Sequence, residues 1–223
     1  MGKRQKAFTI AIPSTVAIAV GLTSGLVFRP KTAYVINMFI QTEQTPNPET
    51  LKFLPGRDVT GGAIAEYKSA EEAAAGSPLA QRLFTIETVQ SVFLGKDFVS
   101  VTKTPDEEWY FLKSKILAEM MEFFMTGQPV LLDDGQKPVA VGEDDDEISR
   151  QIRELLETRV QPAVAADGGH IEFVRFEDGI AYLRMQGACA GCPSSAITLK
   201  SGIENMLKHY VPEVVAVEAI PEM

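Results

Sequence analysis

Two cysteines, Cys189 and Cys192, stand three positions apart in the stretch Gly187-Ala-Cys-Ala-Gly-Cys-Pro193, and the 223-residue chain contains no others. A disulfide across two intervening residues would constrain almost none of the unfolded chain, so this spacing indicates a metal, cluster or dithiol redox site. The count also excludes the disulfide framework of small secreted proteins. We therefore expect a thiol site in a reducing compartment, and we place the protein in the cytosol.

The residues beside the two cysteines suit an anionic ligand. Pro193 favours the first position of a helix, which puts Cys192 at a helix N-terminus. The unpaired N–H groups and the helix dipole there should lower the pKa of Cys192 below the ordinary thiol value of roughly 8.5. The small neighbours Gly187-Ala188 and Ala190-Gly191 allow the loop backbone to approach a bound ion or cluster.

Ligand counting indicates that one chain supplies half a site. Two sulfurs complete neither a tetrahedral zinc site nor a cluster that takes four thiolates, and a symmetric dimer that joins two loops would supply four. A thioredoxin-type dithiol is the alternative, but it needs a βαβ context, whereas a predicted hairpin precedes the motif here, and it normally has an aromatic residue where Ala188 stands. A zinc site that staples a dimer is the third possibility. The spacing alone leaves redox and metal chemistry open.

The two histidines are weaker candidates for the site. His170 follows the turn Asp167-Gly-Gly169 and could be a ligand, although a lone histidine at the start of a strand is more often a turn or core residue. His209 lies at a helix C-terminus, where its charge suits the helix dipole, and we interpret it as structural. The glycines of the turn permit unusual backbone angles, so the turn could support the cysteine loop. Since the sequence contains no phosphate loop, Ser-His-Asp set or HExxH motif, we expect no enzyme.

The elements around the cysteines are predicted in the order helix, strand, strand, helix, strand. Apolar residues at spacings of three and four predict the first helix, and the Asp178-Gly179 pair predicts a tight hairpin turn. The predicted bounds are a helix over 147–161 that ends at Pro162, strands over 171–176 and 180–185, a helix over 193–210 and a strand over 214–220.

The first half of the chain is predicted to mix strands and helices. The turn Thr45-Pro-Asn-Pro48 forbids helix and separates two strands that should pair. The predicted strands cover 39–43, 50–54, 89–93 and 98–102, and the predicted helices cover 77–84 and 107–125. The apolar contacts of the long helix are expected from Phe111, Ile116, Met120, Phe123 and Phe124.

An acidic run at 143–147 follows a stretch rich in Gly and Pro, which predicts a linker over 127–147. Asp146 can cap the helix that follows. The sequence therefore predicts an α+β protein with two small mixed domains, over 38–126 and 148–223. The formal net charge of −9 argues against a nucleic-acid partner, because phosphates are held by clustered Lys and Arg.

Residues 1–37 precede the first predicted domain. Lys3, Arg4 and Lys6 come before an uncharged run over 7–28, which Pro13 and several Ser, Thr and Gly residues make a poor membrane span or signal segment. We expect no stable membrane association. The extension is interpreted as sequence upstream of a true start at Met38, or else as an anchor or a targeting peptide.

Two segments resemble a known family. Residues 148–223, with the turn Val164-Ala-Ala-Asp-Gly-Gly-His-Ile171 and the motif Gly187-Ala-Cys-Ala-Gly-Cys-Pro-Ser-Ser-Ala-Ile-Thr-Leu-Lys200, resemble the C-terminal domain of NifU-like iron-sulfur proteins. Residues 38–126, which open with Phe39-Ile-Gln-Thr-Glu-Gln-Thr-Pro-Asn-Pro-Glu-Thr-Leu-Lys-Phe53, are similar to the N-terminal domain of Nfu-type scaffold proteins of bacteria and mitochondria.

The resemblance implies a carrier that receives a 4Fe-4S cluster from an upstream donor and passes it to apo-proteins. The cluster would be held between two protomers of a homodimer by Cys189 and Cys192 of each, accessible at the surface on the dimer axis. The N-terminal domain would contact partners. Delivery fits better than assembly, because the cysteine-bearing modules of the longer NifU architecture are lacking. A bacterial form would be cytoplasmic, whereas in a mitochondrial form residues 1–37 would be the presequence for the matrix.

Overall fold

A computed structural model describes residues 39–132, 146–190 and 193–220, without the side chains of 193–196. The described residues belong to one compact unit. Helices and strands alternate irregularly and the larger sheet is antiparallel, so the predicted α+β class is confirmed. Among the helices described, none is both long and apolar enough to cross a membrane. The expectations for residues 1–37 and for most of the acidic run lie outside these residues.

The N-terminal domain is built on a five-stranded antiparallel sheet in the order β1-β2-β5-β4-β3. Its strands are β1 Gln41–Gln44, β2 Thr50–Leu54, β3 Ala65–Tyr67, β4 Val89–Leu94 and β5 Val99–Lys103. Both predicted pairings are confirmed, with Gln41 opposite Leu54 across the proline turn and Val92 opposite Val101 in the second pair. The sequence did not predict β3, because three residues are too short to show an alternating pattern.

The same domain contains three helices, α1 Ala70–Gly76, α2 Pro78–Leu83 and α3 Trp109–Thr126. Helix α2 begins where it was predicted, because the Ser77 side chain accepts a hydrogen bond from the N–H of Ala80. In α3 the expected burial of Phe111 is wrong, since this side chain is 63% exposed. Leu112 takes the buried position instead, because it is four residues from Ile116 and shares its face of the helix.

One face of the sheet carries the apolar core of the N-terminal domain, and α3 covers it. Leu51 and Phe53 of β2 and Val99 and Val101 of β5 belong to this core, together with the buried residues of α3. The segment after α3 continues the packing, because Leu131 joins the same core. The intervening residue of each strand therefore points to the opposite face of the sheet.

The C-terminal domain begins with α4 Glu147–Leu155, a π-helical turn over Leu156–Val160 and α5 Gln161–Ala166. Asp146 caps α4 as expected, accepting from the N–H of Ser149 at 2.7 Å. The prediction that this helix ends at Pro162 is wrong. A proline has no N–H to offer, and it is tolerated in the first turn of α5 because the π-helical turn already interrupts the regular ladder.

A three-stranded sheet follows, in the order β6-β7-β8. Strands β6 Gly169–Glu177 and β7 Ile180–Gly187 form the predicted hairpin, and α6 Pro193–Tyr210 connects them to β8 Ala216–Ala219. The turn residues Asp178 and Gly179 have φ of 51° and 80°, as the tight turn requires. β8 pairs parallel with β7, so β7, α6 and β8 form a βαβ unit.

Candidate functional site

Cys189 lies in the loop that joins β7 to α6. Strand β7 ends at Gly187, whose φ of +65° turns the chain and favours glycine. The N–H of Ala190 donates to the Gly187 carbonyl at 3.1 Å, which closes the first part of the loop. Helix α6 begins at Pro193 as predicted. Cys192, the second predicted ligand, lies outside the described residues, and so does the expected lowering of its pKa.

The loop has a βαβ context, because β8 lies parallel to β7 and α6 crosses between them. We expected no such context, since a hairpin precedes the motif in sequence. That expectation is wrong, because a hairpin strand can also be the first strand of a crossover. Topology therefore no longer separates a cluster site from a dithiol site.

The Cys189 side chain is 8% exposed and packs with the apolar core of the C-terminal domain. A Cβ atom added at Gly169 would lie only 2.6 Å from the Cys189 Sγ, so glycine at that position leaves room for the sulfur. This burial differs from the accessible site that we expected.

Burial, together with the smaller effects of the Asp167 and Glu66 carboxylates, raises the pKa of the Cys189 thiol to about 11. The proton is therefore held strongly in this conformation. Thiolates are the form that binds metals, so a metal ligated by this thiol would have to displace its proton.

The turn Asp167–Gly169 supports the cysteine loop, as the sequence suggested. Gly168 has a φ of +82°, and its carbonyl accepts a hydrogen bond from the Ala188 N–H at 3.2 Å. Ala188 is itself almost fully buried. The turn before β6 and the loop after β7 are thus joined directly beside Cys189.

The two histidines, the weaker candidates for the site, lie on β6 and in the last turn of α6. His170 lies on β6 opposite Gln186, and burial lowers its pKa while Glu172 opposes the shift. Its Nδ1 atom finds no hydrogen-bond partner among the described atoms. His209 lies in the last turn of α6, where its ring packs edge-on against Tyr210 at 4.8 Å. In the part of the chain that the structure describes, no three His, Cys, Asp or Glu side chains are grouped to hold a metal ion.

The N-terminal domain reaches the cysteine loop through residues that sequence reasoning did not identify. Glu66 Oε1 accepts from the Gly187 N–H at 3.1 Å, close to Cys189 in the chain. Polar residues on a strand with one buried face usually lie in solvent, so the residue type of Glu66 gave no sign that it contacts the loop. One signal was present, since β4 is apolar on both faces, with Phe93 between Val92 and Leu94.

Comparison with known proteins identifies two family domains. Residues 40–127 match the family described as "Scaffold protein Nfu/NifU N terminal", and residues 152–218 match the "NifU-like domain" family. "NifU-like protein 4, mitochondrial" of Arabidopsis thaliana is 53% identical over 186 residues, covering 81% of this chain and 65% of that protein. "NFU1 iron-sulfur cluster scaffold homolog, mitochondrial" of Homo sapiens is 49% identical over 184 residues, covering 82% of this chain and 72% of that protein.

The chain spans about two thirds of the length of the curated relatives it matches. Among solved structures, the NMR structure of a NifU-like protein from Saccharomyces cerevisiae matches 43% of this chain and 86% of its own at 27% identity, with a TM-score of 0.39. The curated relatives reported above carry "mitochondrial" in their names. Our sequence-based placement in the bacterial cytosol is therefore wrong.

Proposed function

Because the chain belongs to the family of Nfu-type, NifU-like iron-sulfur scaffold proteins, we propose that it carries a 4Fe-4S cluster as cargo and hands it to apo-proteins. Cys189 and Cys192 of two copies hold the cluster between them in a homodimer. An upstream donor loads the cluster. The names of the relatives favour the mitochondrion as the compartment, and the protein acts without catalytic turnover.

The observation that carries this proposal is the position of Cys189 in a strand–loop–helix segment of a chain with two cysteines. Four thiolates are needed to complete the cluster, and each chain offers two. The N-terminus of α6, an 18-residue helix, adds N–H groups and a positive dipole end that favour a bound anion. Small residues beside Cys189 let the backbone donors approach the sulfurs.

The environment of Cys189 supports transfer rather than permanent holding. When the sulfur loses its bond to iron, it can return to the pocket beside Gly169 and pack again with the apolar core of the C-terminal domain. This packing stabilises the cluster-free chain, so it lowers the free energy of handing the cluster on.

A dithiol oxidoreductase is the second candidate, and the βαβ context of the loop is the observation that favours it. The raised pKa of Cys189 argues against it, because an attacking cysteine works best with a pKa near the ambient pH. A zinc-stapled dimer remains the third possibility. Elemental analysis of protein purified without oxygen separates zinc from iron.

The proposal is tested by anaerobic reconstitution of the full chain with iron and sulfide, followed by transfer to an apo iron-sulfur protein. We expect Cys189→Ala and Cys192→Ala each to abolish stable cluster binding and transfer. Ser201→Ala is the matched control, since it changes an exposed residue of α6 and should bind as the wild type does. A Cys189→Ala protein that retained a full cluster would refute the assignment, and rapid disulfide reduction by the wild type would favour the oxidoreductase.

A further inference from the structure

A row of five residues crosses the N-terminal sheet, with one residue from each strand. Strand register places Glu43 opposite Lys52, Lys52 opposite Ser100, Ser100 opposite Phe93, and Phe93 opposite Glu66. Neighbouring residues in β2, β4 and β5 belong to the apolar core, so this row lies on the face of the sheet away from that core. We call these five residues the cross-strand row.

Two members of the row donate hydrogen bonds to the turn that supports the cysteine loop. Lys52 Nζ donates to the Ala166 carbonyl at 3.0 Å, and Ser100 Oγ donates to the Gly168 carbonyl at 2.7 Å. Lys52 is 6% exposed and Ser100 is 1% exposed, so both bonds are shielded from water. Separation of the turn from the sheet would leave two buried donors without their acceptors, so these contacts hold the turn against the sheet.

The other end of the row holds the end of β7. Glu66 accepts from the Gly187 N–H, and a Cβ atom at Gly187 would lie 3.0 Å from Cγ of the Phe93 ring. Gly187 is two residues before Cys189. The row therefore contacts the end of β7, from which the cysteine loop extends, and the turn before β6 that is joined to this loop.

The contact between the row and the loop has an apolar centre of its own. Phe93, Phe98 and Ala188 are all at least 96% buried, yet they belong to neither of the two apolar cores. The Phe93 and Phe98 rings lie 5.8 Å apart, and Lys52 Nζ lies 4.9 Å from the centre of the Phe98 ring. The second face of an antiparallel sheet is usually polar and solvated, so two buried rings there indicate a docking surface.

This arrangement restrains Cys189. Its sulfur faces Gly169, and it must turn outward before it can share a cluster with a second chain. The end of β7 and the neighbouring turn before β6 are fixed to the sheet through Gly187 and Gly168. The Gly168 carbonyl also accepts from Ala188, so the turn and the loop are held as one piece.

We propose that the cross-strand row is an internal docking site for the cysteine loop, and that the N-terminal domain must release the loop before a cluster can be loaded. This inference rests on the proposed carrier function. Docking to the row and sharing a cluster with a second copy are then alternative states of the same loop. The N-terminal domain controls loading in addition to contacting partners.

The test weakens the row without touching the cysteines or the apolar core. The double variant Lys52→Ala/Ser100→Ala removes both hydrogen bonds to the turn. Lys103→Ala is the matched control, because Lys103 is an equally buried lysine of the same sheet whose Nζ contacts Glu49 and the Thr104 carbonyl in the N-terminal domain. Ser100→Ala alone serves as a milder second variant, and circular dichroism and thermal unfolding verify that each variant is folded.

Two measurements on the cluster-free full chain report on docking alone. They are the alkylation rate of Cys189 in a Cys192→Ser background and the hydrogen exchange rate of the Gly187 amide. Two lost hydrogen bonds of about 1 kcal/mol each shift an opening equilibrium by roughly 10- to 30-fold. We expect both rates to rise by that factor in the double variant, by less in Ser100→Ala, and to stay at the wild-type value in Lys103→Ala.

The third measurement is the rate of cluster uptake by chains that retain both cysteines, which we expect to rise in the double variant. Alkylation and exchange at wild-type rates would overturn the docking site. Unchanged or slower uptake by a folded variant would overturn the control of loading. If the wild-type chain took up no cluster, the proposed function would fail, while alkylation and exchange would still decide whether the row holds the loop.

Discussion

Gly187 offers the sharpest test of how the cysteine loop is built. It has a φ of +65°, and an added Cβ atom would lie 2.7 Å from the Gly168 carbonyl oxygen. Gly56 has nearly the same φ, +69°, but nothing lies within 4 Å of its added Cβ. The two glycines therefore separate the cost of the backbone angle from the cost of the close contact.

The expected loss of stability follows from these two contributions. An alanine in the left-handed region costs about 1–2 kcal/mol, which is the whole effect that we expect for Gly56→Ala. Overpacking of a tight site adds about 1–3 kcal/mol, so Gly187→Ala should cost about 2–5 kcal/mol. The carbonyl it meets is held by Ser100 and Ala188, so it cannot move aside without breaking those bonds.

Denaturant unfolding of the full chain measures both variants, and Gly202→Ala completes the set. Gly202 lies inside α6 in open space, so alanine there should raise the free energy of unfolding by about 0.5–1 kcal/mol. We also expect Gly187→Ala to expose Cys189 to alkylation. A Gly187→Ala protein that lost no more stability than Gly56→Ala would refute the close contact, and with it the account of the loop.

Three further predictions concern pH and capping. In the folded chain the pKa of Cys189, about 11, lies above the ordinary value of about 8.5. The contribution of this thiol to the free energy of unfolding is therefore complete below pH 8.5 and is lost as pH rises towards 11. Cys189→Ala should flatten this loss of stability at alkaline pH in unfolding experiments. Burial lowers the pKa of His170 below 6.5. The contribution of the neutral ring to the free energy of unfolding is therefore present above pH 6.5 and is lost as pH falls through the pKa of the folded chain. His170→Gln should reduce this loss of stability at acid pH. Ser77→Ala should lower the free energy of unfolding by about 1–3 kcal/mol, because the buried hydroxyl both caps α2 and donates to the Val130 carbonyl. Ser69→Ala, which removes a cap whose hydrogen bond is exposed, should lower it by about 1 kcal/mol or less. Equal losses at the two serines would contradict the bridging role of Ser77.

Local patterns in the sequence predicted most elements of the fold. The proline turn, the Asp178-Gly179 hairpin and the helix that begins at Pro193 were predicted correctly, because each depends on the angles that its own residues allow. The failures occurred where distant parts of the chain decide the outcome. Pro162 lies inside a helical segment because a π-helical turn precedes it, and β3 exists because β4 offers it a partner.

The candidate site was predictable in its chemistry but not in its surroundings. The types and spacing of Cys189 and its neighbours indicated a thiol site at a strand–helix junction, and the structure places Cys189 there. The thiol is buried in the core of its own domain, and its pKa is raised by this burial, by Asp167 and by Glu66, which lies 123 positions earlier in the chain. Residue types alone could not reveal that the polar face of the first sheet covers this loop.

The most direct test of the central claim is the iron and sulfide content of the anaerobically reconstituted full chain, measured together with its mass by analytical ultracentrifugation. The carrier account predicts about four iron and four sulfide per two chains, in a species with the mass of a dimer that reverts to smaller species when the cluster is transferred. A cluster held by a single chain, or a dimer that contains zinc and no sulfide, would contradict it.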